Sequence, residues 1–309
     1  MPLSVVVGAG GTGTRTALLL AEQDHDVCLI TRSGSGPDHP RIARIAADAT
    51  DSRRLTELTS GARTLFNCAA PPYHRWPQEF PPLAQSLLTA AERSGAGYVM
   101  LGNLYGYGPV DAPMTEDMPL APSSVKGRVR ARIWDDALAA QRDSRVRVTE
   151  VRSSDFVGRG AVSVFTLTVA PKVLAGKRAM VPADLDAPHS WTGTGDVARA
   201  LVAASEDDRA WGRVWHVPTN PAVSVRELAR RLAALAGVGP VRLSVMPLWM
   251  LRAAGLRSPM IRELPEMQYQ VRRPFVLDSS LTEQTFDLKP TPLDDILREH
   301  LDEAVTAAG

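Results

Sequence analysis

Short stretches rich in apolar and β-branched residues alternate along this chain with longer segments in which apolar residues recur every three or four positions. Ser4–Val7, Asp26–Thr31, Arg44–Asp48, Arg63–Ala69, Tyr98–Leu101 and Val146–Arg152 form the first class. Asp26–Thr31 is the continuously apolar kind of run found in strands of sheets covered on both faces. Thr14–Gln23, with Ala17, Leu18, Leu20 and Ala21, has helical spacing, as do Leu83–Ser94 and the Arg- and Ala-rich stretch Ser123–Gln141. The alternation predicts βαβ units and an α/β fold with a doubly wound parallel sheet. Past Gly158 the rhythm loosens into a helix at Asp196–Ser205, a strand at Arg213–Val217, an amphipathic helix at Val225–Ala236 and a closing helix at Leu293–Val305. The expected division is a sheet domain over 1–158, with return elements near 190–218, and a smaller mixed α/β domain over 159–309.

Composition removes several alternatives. With 309 residues the chain can bury a large core without staples. Its 35 Lys and Arg against 34 Asp and Glu give a net charge of +1, which argues against a nucleic-acid or membrane-surface binder. No apolar run nears the roughly 18 residues of a membrane span. Met1-Pro2-Leu3-Ser4 lacks the basic start of a signal peptide. Cys28 and Cys68 are the only cysteines and read as two buried thiols in a reducing cytoplasm. The six histidines show no metal-ligand spacing, so no metal is expected, and Gly-x-Ser-x-Gly is absent.

The chemistry starts at Gly8-Ala9-Gly10-Gly11-Thr12-Gly13, between the first strand and the first helix. Gly8-x-Gly10-x-x-Gly13 in that context is a dinucleotide fingerprint. The first glycine allows a tight turn, the second a close approach of backbone to pyrophosphate, and the third close helix–strand packing. The second strand ends in Thr31-Arg32-Ser33, without the acid that an NAD site carries for the ribose hydroxyls. A guanidinium suits a 2′-phosphate, so Arg32 predicts NADP(H), with NAD the lesser choice.

These residues, in this order, resemble the extended short-chain dehydrogenase/reductase family, also called the NAD-dependent epimerase/dehydratase family. Asp48-Ala49-Thr50-Asp51 looks like its acidic segment beneath the adenine, and Asn67-Cys68-Ala69-Ala70-Pro71 like its alanine pair along the cofactor. Leu104-Tyr105-Gly106, Pro119–Ser123, Trp191–Ala198 and Val223–Gly237 resemble further landmarks. The resemblance implies a Rossmann-type domain, a C-terminal substrate domain and often dimers through two helices. It places Asp48, Ala49, Ala69 and Ala70 along the cofactor.

The family's Tyr-x-x-x-Lys is missing: the residues four positions after Tyr73, Tyr98, Tyr105, Tyr107 and Tyr269 are Pro77, Gly102, Pro109, Asp111 and Arg273. Aligning the landmarks puts Lys126 in the Tyr slot and Arg130 in the Lys slot, one helical turn apart on one face. Arg130 is expected to hold the nicotinamide ribose, and Lys126 to be a proton-transferring amine unless the basic run is a solvated face. Tyr105, Tyr107, Asn103 and Asp155 are alternative donors, and His189 falls where the resemblance puts the substrate cleft. His216 reads as a hydrogen-bonded core residue, and Met246, Trp249, Met250 and Leu251 as core or pocket lining.

The expected function is an NADP(H)-dependent oxidoreductase acting on a small organic substrate without Tyr/Lys catalysis, possessing no nucleic-acid or membrane partner. A homodimer is expected from the resemblance and the apolar helix at Leu83–Ala91. Two alternatives stay open. One is a non-catalytic sensor of NADPH, the other a non-redox lyase or isomerase with Lys126 as base.

Overall fold

The computed structural model describes residues 1–308, with side chains through Ala304. The first half alternates as the pattern requires: β1 (Leu3–Val7), α1 (Gly11–Glu22), β2 (Asp26–Thr31), β3 (Ile42–Ala46), α2 (Ser52–Thr59), β4 (Thr64–Asn67), α3 (Trp76–Ser94), β5 (Gly97–Asn103), α4 (Val125–Arg142) and β6 (Val148–Ser153). The second half adds β7 (Asp155–Val157), α5 (Ala170–Leu174), β8 (Ala179–Val181), β9 (Trp191–Gly193), α6 (Thr194–Glu206) and β10 (Val214–His216). It continues through α7 (Val225–Leu235), β11 (Leu243–Val245), α8 (Leu248–Gly255), α9 (Pro259–Arg262), α10 (Gln268–Val271), α11 (Ser280–Phe286) and α12 (Leu293–Ala308).

Seven strands pair in parallel in the order β3-β2-β1-β4-β5-β6-β10. This is the doubly wound Rossmann-type order, extended by the returning strand β10. Successive residues face opposite sides, and both sides are apolar. Val5, Val7, Cys28, Ile30, Leu65, Tyr98 and Met100 meet one helical layer that includes α3 and α4. Val6, Leu29, Phe66, Val99 and Val151 meet the other, where α1 and α6 lie. A third cluster, with Phe165, Val173, Leu228, Leu232 and Ile296, forms the core of the C-terminal part. There the short pairs β7–β9 and β8–β11 replace a large sheet.

Several local expectations shift. The third strand begins two residues earlier than its apolar run, and α2 was not anticipated from the acidic segment; Asp51 caps it by accepting from Arg54 N–H at 3.0 Å. The α3 stripe that suggested a dimer, including Leu83, Leu87 and Ala91, packs in the core of this same chain. Trp249 is not core but 69% exposed, whereas Leu251 on the same helix is buried. Cys28 and Cys68 are free thiols. Among the described residues, no helix is long and apolar enough to cross a membrane.

Candidate dinucleotide and substrate site

The strand order reverses between β1 and β4, and the crevice beyond their carboxyl ends is where such sheets take ligands. The glycine cluster forms one wall. Gly8 has a φ of +101°, and a Cβ there would lie 2.9 Å from the Ala69 backbone, so only glycine lets the β1 turn lie against the segment after β4. A Cβ on Gly13 would overlap the Gly8 carbonyl oxygen, which fixes how tightly α1 seats on β1. Gly10 differs: nothing lies within 4 Å of where its Cβ would be, and no side chain caps the helix that starts after it. Open backbone before an uncapped helix N-terminus suits a pyrophosphate. Gly11 abuts Gly160 from the turn after β7, and Thr12 is buried in the first turn of α1.

The far ends of β2 and β3 bring Arg32 and Asp48 together. Asp48 Oδ1 accepts from Thr50 N–H at 2.9 Å and from its hydroxyl at 2.8 Å, and Arg32 adds a favourable charge; together they hold the carboxyl below its usual range. Arg32 is exposed, with no direct hydrogen bond among the described residues, and Ala49 is half-buried beside Asp48. After β4, Asn67 Oδ1 accepts from Ala69 N–H at 3.2 Å, and Ala69 and Ala70 continue along the crevice.

Beyond the ends of β4, β5 and β6 lie Tyr73, Tyr105 and Asp155; His189, two residues before β9, pairs with Asp155, and Lys126 sits over the Tyr73 ring. Lys126 is not on a solvated face. It is fully buried, forming ion pairs with Glu263 and, at 2.7 Å, with Glu266; its ammonium also sits 4.5 Å above the Tyr73 ring. Glu266 also accepts from Val125 N–H at 3.0 Å, at the positive end of α4. The expected free amine is therefore a charged clasp between α4 and the segment after α9. Arg130 departs from its expected role too. Its Nη1 donates to Leu101 O at 2.9 Å, and its guanidinium stacks over Trp76 and Phe80. Burial pulls its pKa down to about 10, leaving it charged at neutral pH.

The other donors also differ from expectation. Asn103 is occupied locally, its Oδ1 accepting from Tyr105 N–H at 3.2 Å. The hydroxyls of Tyr105 and Tyr73 face each other, and burial, aided by the charge of Asp155, pushes both pKa values up. That is opposite to the acidified phenol a Tyr/Lys pair creates. Tyr107 is 1% exposed and pushed to about 12 by burial; its hydroxyl lies 2.7 Å from His216 Nε2. His216 Nδ1 faces Asp278 O at 2.8 Å, so Nδ1 carries the hydrogen and Nε2 accepts from Tyr107. His216 is the hydrogen-bonded core residue anticipated. Glu263 and Glu266 escaped the sequence reading, and Tyr269 entered it only as a tyrosine without a lysine four positions on; their one signal was two acids and a tyrosine at three-residue spacing. Among the described residues no cluster could hold a metal ion.

Comparison with known proteins gives a family and a fold. No curated protein matches. Among solved structures, the Bordetella bronchiseptica enzyme WbmH, in complex with NAD+, is 19% identical with a TM-score of 0.77, over 98% of each chain. The UDP-glucuronic acid 4-epimerase from Bacillus cereus, with UDP-glucuronic acid and NAD, is 17% identical with a TM-score of 0.80, over 99% of this chain and 100% of its own. The dTDP-glucose 4,6-dehydratase from Bacillus anthracis, in complex with NAD, is 17% identical with a TM-score of 0.79, over 99% and 97%. Residues 4–217 match the NAD dependent epimerase/dehydratase family, and the chain belongs to that family.

Proposed function

We propose that this protein is an NADP(H)-dependent oxidoreductase that works without a Tyr-x-x-x-Lys pair. The observation that carries the reading is the open Gly10 backbone before the uncapped first turn of α1, at the point where the strand order reverses. Gly8 to Gly13 would cradle the pyrophosphate, Asp48 and Ala49 would lie by the adenine, and Ala69 and Ala70 by the middle of the cofactor. Arg32 would hold a 2′-phosphate, which is why NADP(H) is preferred here although the solved relatives above hold NAD. The cofactor supplies the hydride; the chain supplies orientation and a proton. Residues 1–158 with the 190–218 return would form the cofactor domain, and 159–309 the substrate domain.

The substrate class we favour is a sugar nucleotide, the class held by the Bacillus cereus relative. The two free thiols suit a cytoplasmic protein. The homodimer rests on family resemblance alone, since α3 is covered within the chain, and sedimentation at micromolar concentration tests it. One observation favours a second reading as an NADPH sensor: the amine in the Tyr slot is already neutralised by two carboxylates. The same observation removes the basis for Lys126 as the base of a lyase. Calorimetry with NADP+ and NAD+ tests the cofactor. A charge-assisted contact to the 2′-phosphate is worth about 1.5–3 kcal/mol, so NADP+ should bind roughly 10- to 100-fold tighter. Arg32→Asp should erase that preference. Equal affinities in the unaltered protein would overturn it.

A further inference from the structure

At the substrate end of the cleft, His189 is held by packing and by backbone hydrogen bonds. It precedes β9 by two residues and is 3% exposed. Its ring packs against Trp191 at 4.5 Å and stacks on Phe275 at 5.4 Å, and its backbone exchanges hydrogen bonds with Val223. Nδ1 lies 3.2 Å from Gln270 O, and a carbonyl only accepts, so Nδ1 carries a hydrogen. Nε2 lies 3.1 Å from Asp155 Oδ2, off the line of a good hydrogen bond, and is buried without another partner. A neutral ring in this position would set the Nε2 lone pair beside a carboxylate oxygen, which repels it. The approach is attractive when Nε2 carries a hydrogen and repulsive when it carries a lone pair.

The two side chains differ in access. That of His189 is 4% exposed and that of Asp155 is 27% exposed, so the pair opens to the cleft only at the carboxyl group. Asp155 opens β7, one residue past the end of β6, and stands at the same sheet edge as Tyr105 after β5 and Tyr73 after β4. Tyr73, Tyr105, Tyr269 and the Lys126–Glu263–Glu266 cluster face this end, with Arg130 behind Tyr105. The phenols keep their protons and Lys126 is committed to its glutamates. Of these groups, the Asp155–His189 pair combines a buried ring nitrogen that has no other partner with a carboxyl group open to the cleft.

We propose that Asp155 is the catalytic residue that exchanges a proton with the substrate, and that His189 is its positioning residue. This rests on the oxidoreductase reading above. In the reductive direction the substrate carbonyl carbon takes the hydride supplied by the reduced dinucleotide. The C=O π pair forms an O–H bond with the proton from Asp155. The products are an alcohol, the oxidised dinucleotide and a pair one proton short, which water at the open edge of Asp155 restores.

Nitrogen-15 NMR of the full-length protein labelled in its histidine rings tests this. At pH 7 the His189 ring should carry hydrogens on both nitrogens, and Asp155→Asn should leave Nε2 bare. NADP+ should shift the ring resonances, whereas 2′-phospho-ADP-ribose, which lacks the nicotinamide, should not. A singly protonated ring, a spectrum unmoved by NADP+, or one unchanged by Asp155→Asn would overturn the proposal. The first of these is read on the unaltered protein, so misfolding of the variant does not shield the idea. Calorimetry separates the two readings: if neither ligand binds, the oxidoreductase itself fails, whatever the ring spectrum shows.

Discussion

Replacing Lys126 by Met removes a buried cation while conserving most of its volume. Removing one partner of a buried ion pair costs about 3–5 kcal/mol, because the other charge is left uncompensated. Here the abandoned Glu263 and Glu266 are each 25% exposed, so water can partly resolvate them, and Glu266 keeps its contact with Val125 N–H at the end of α4. Loss of the ammonium above Tyr73 adds about 0.5–1 kcal/mol. The expected loss is therefore about 2–3 kcal/mol, or a fall in Tm of about 3–5 °C. Denaturant titration measures it, and a cycle with Glu263→Gln and Glu266→Gln isolates the coupling. Opening the clasp should also speed tryptic cleavage at Arg257 and Arg262, which lie around α9. NADP+ affinity should stay within twofold. A Lys126→Met protein within 0.5 kcal/mol of the unaltered one would refute the reasoning.

Gly10→Ala should fold with unchanged stability, since its φ of −69° suits alanine and its Cβ meets nothing, yet bind NADP+ at least tenfold more weakly by calorimetry. Arg130→Met should cost about 1–3 kcal/mol of stability by leaving Leu101 O without its donor, with little effect on NADP+ affinity. His216 gives a pH dependence. Its folded pKa is lowered by burial from 6.5 to about 4, so the unfolded ring binds a proton first. Stability present above pH 6.5 is therefore lost as pH falls toward 4, by about 3 kcal/mol in all, and His216→Gln should flatten that slope in denaturant titrations.

The parallel sheet was legible because its strands are apolar on both faces and the helices between them carry one apolar stripe each. The glycine cluster was legible because a backbone that must approach both a neighbouring segment and a ligand admits few other residues. Lys126 shows where sequence reading stops. Its partners stand 137 and 140 positions away, and helical periodicity reports only neighbours within a turn or two. From the sequence its run of basic residues looks like one surface, yet in the fold Arg128 and Arg132 are exposed, Arg130 stacks on rings and Lys126 is buried. Trp249 fails in the opposite sense: an apolar residue in an apolar run is exposed because α8 buries another face, through Leu251. Asp155 and His189 were each visible as candidates. Their pairing depends on the short parallel contact of β7 with β9, which no local pattern encodes.

The proposed function puts a 2′-phosphorylated dinucleotide across the carboxyl edge of β2, β1, β4 and β5. A crystal structure of the protein grown with NADP+ tests it most directly. The pyrophosphate should lie against the backbone of Gly10, Gly11 and Thr12, the 2′-phosphate within hydrogen-bonding distance of Arg32, and the nicotinamide on the side of Tyr105 and Asp155. A pyrophosphate bound elsewhere, or a 2′-phosphate turned to solvent away from Arg32, would contradict it.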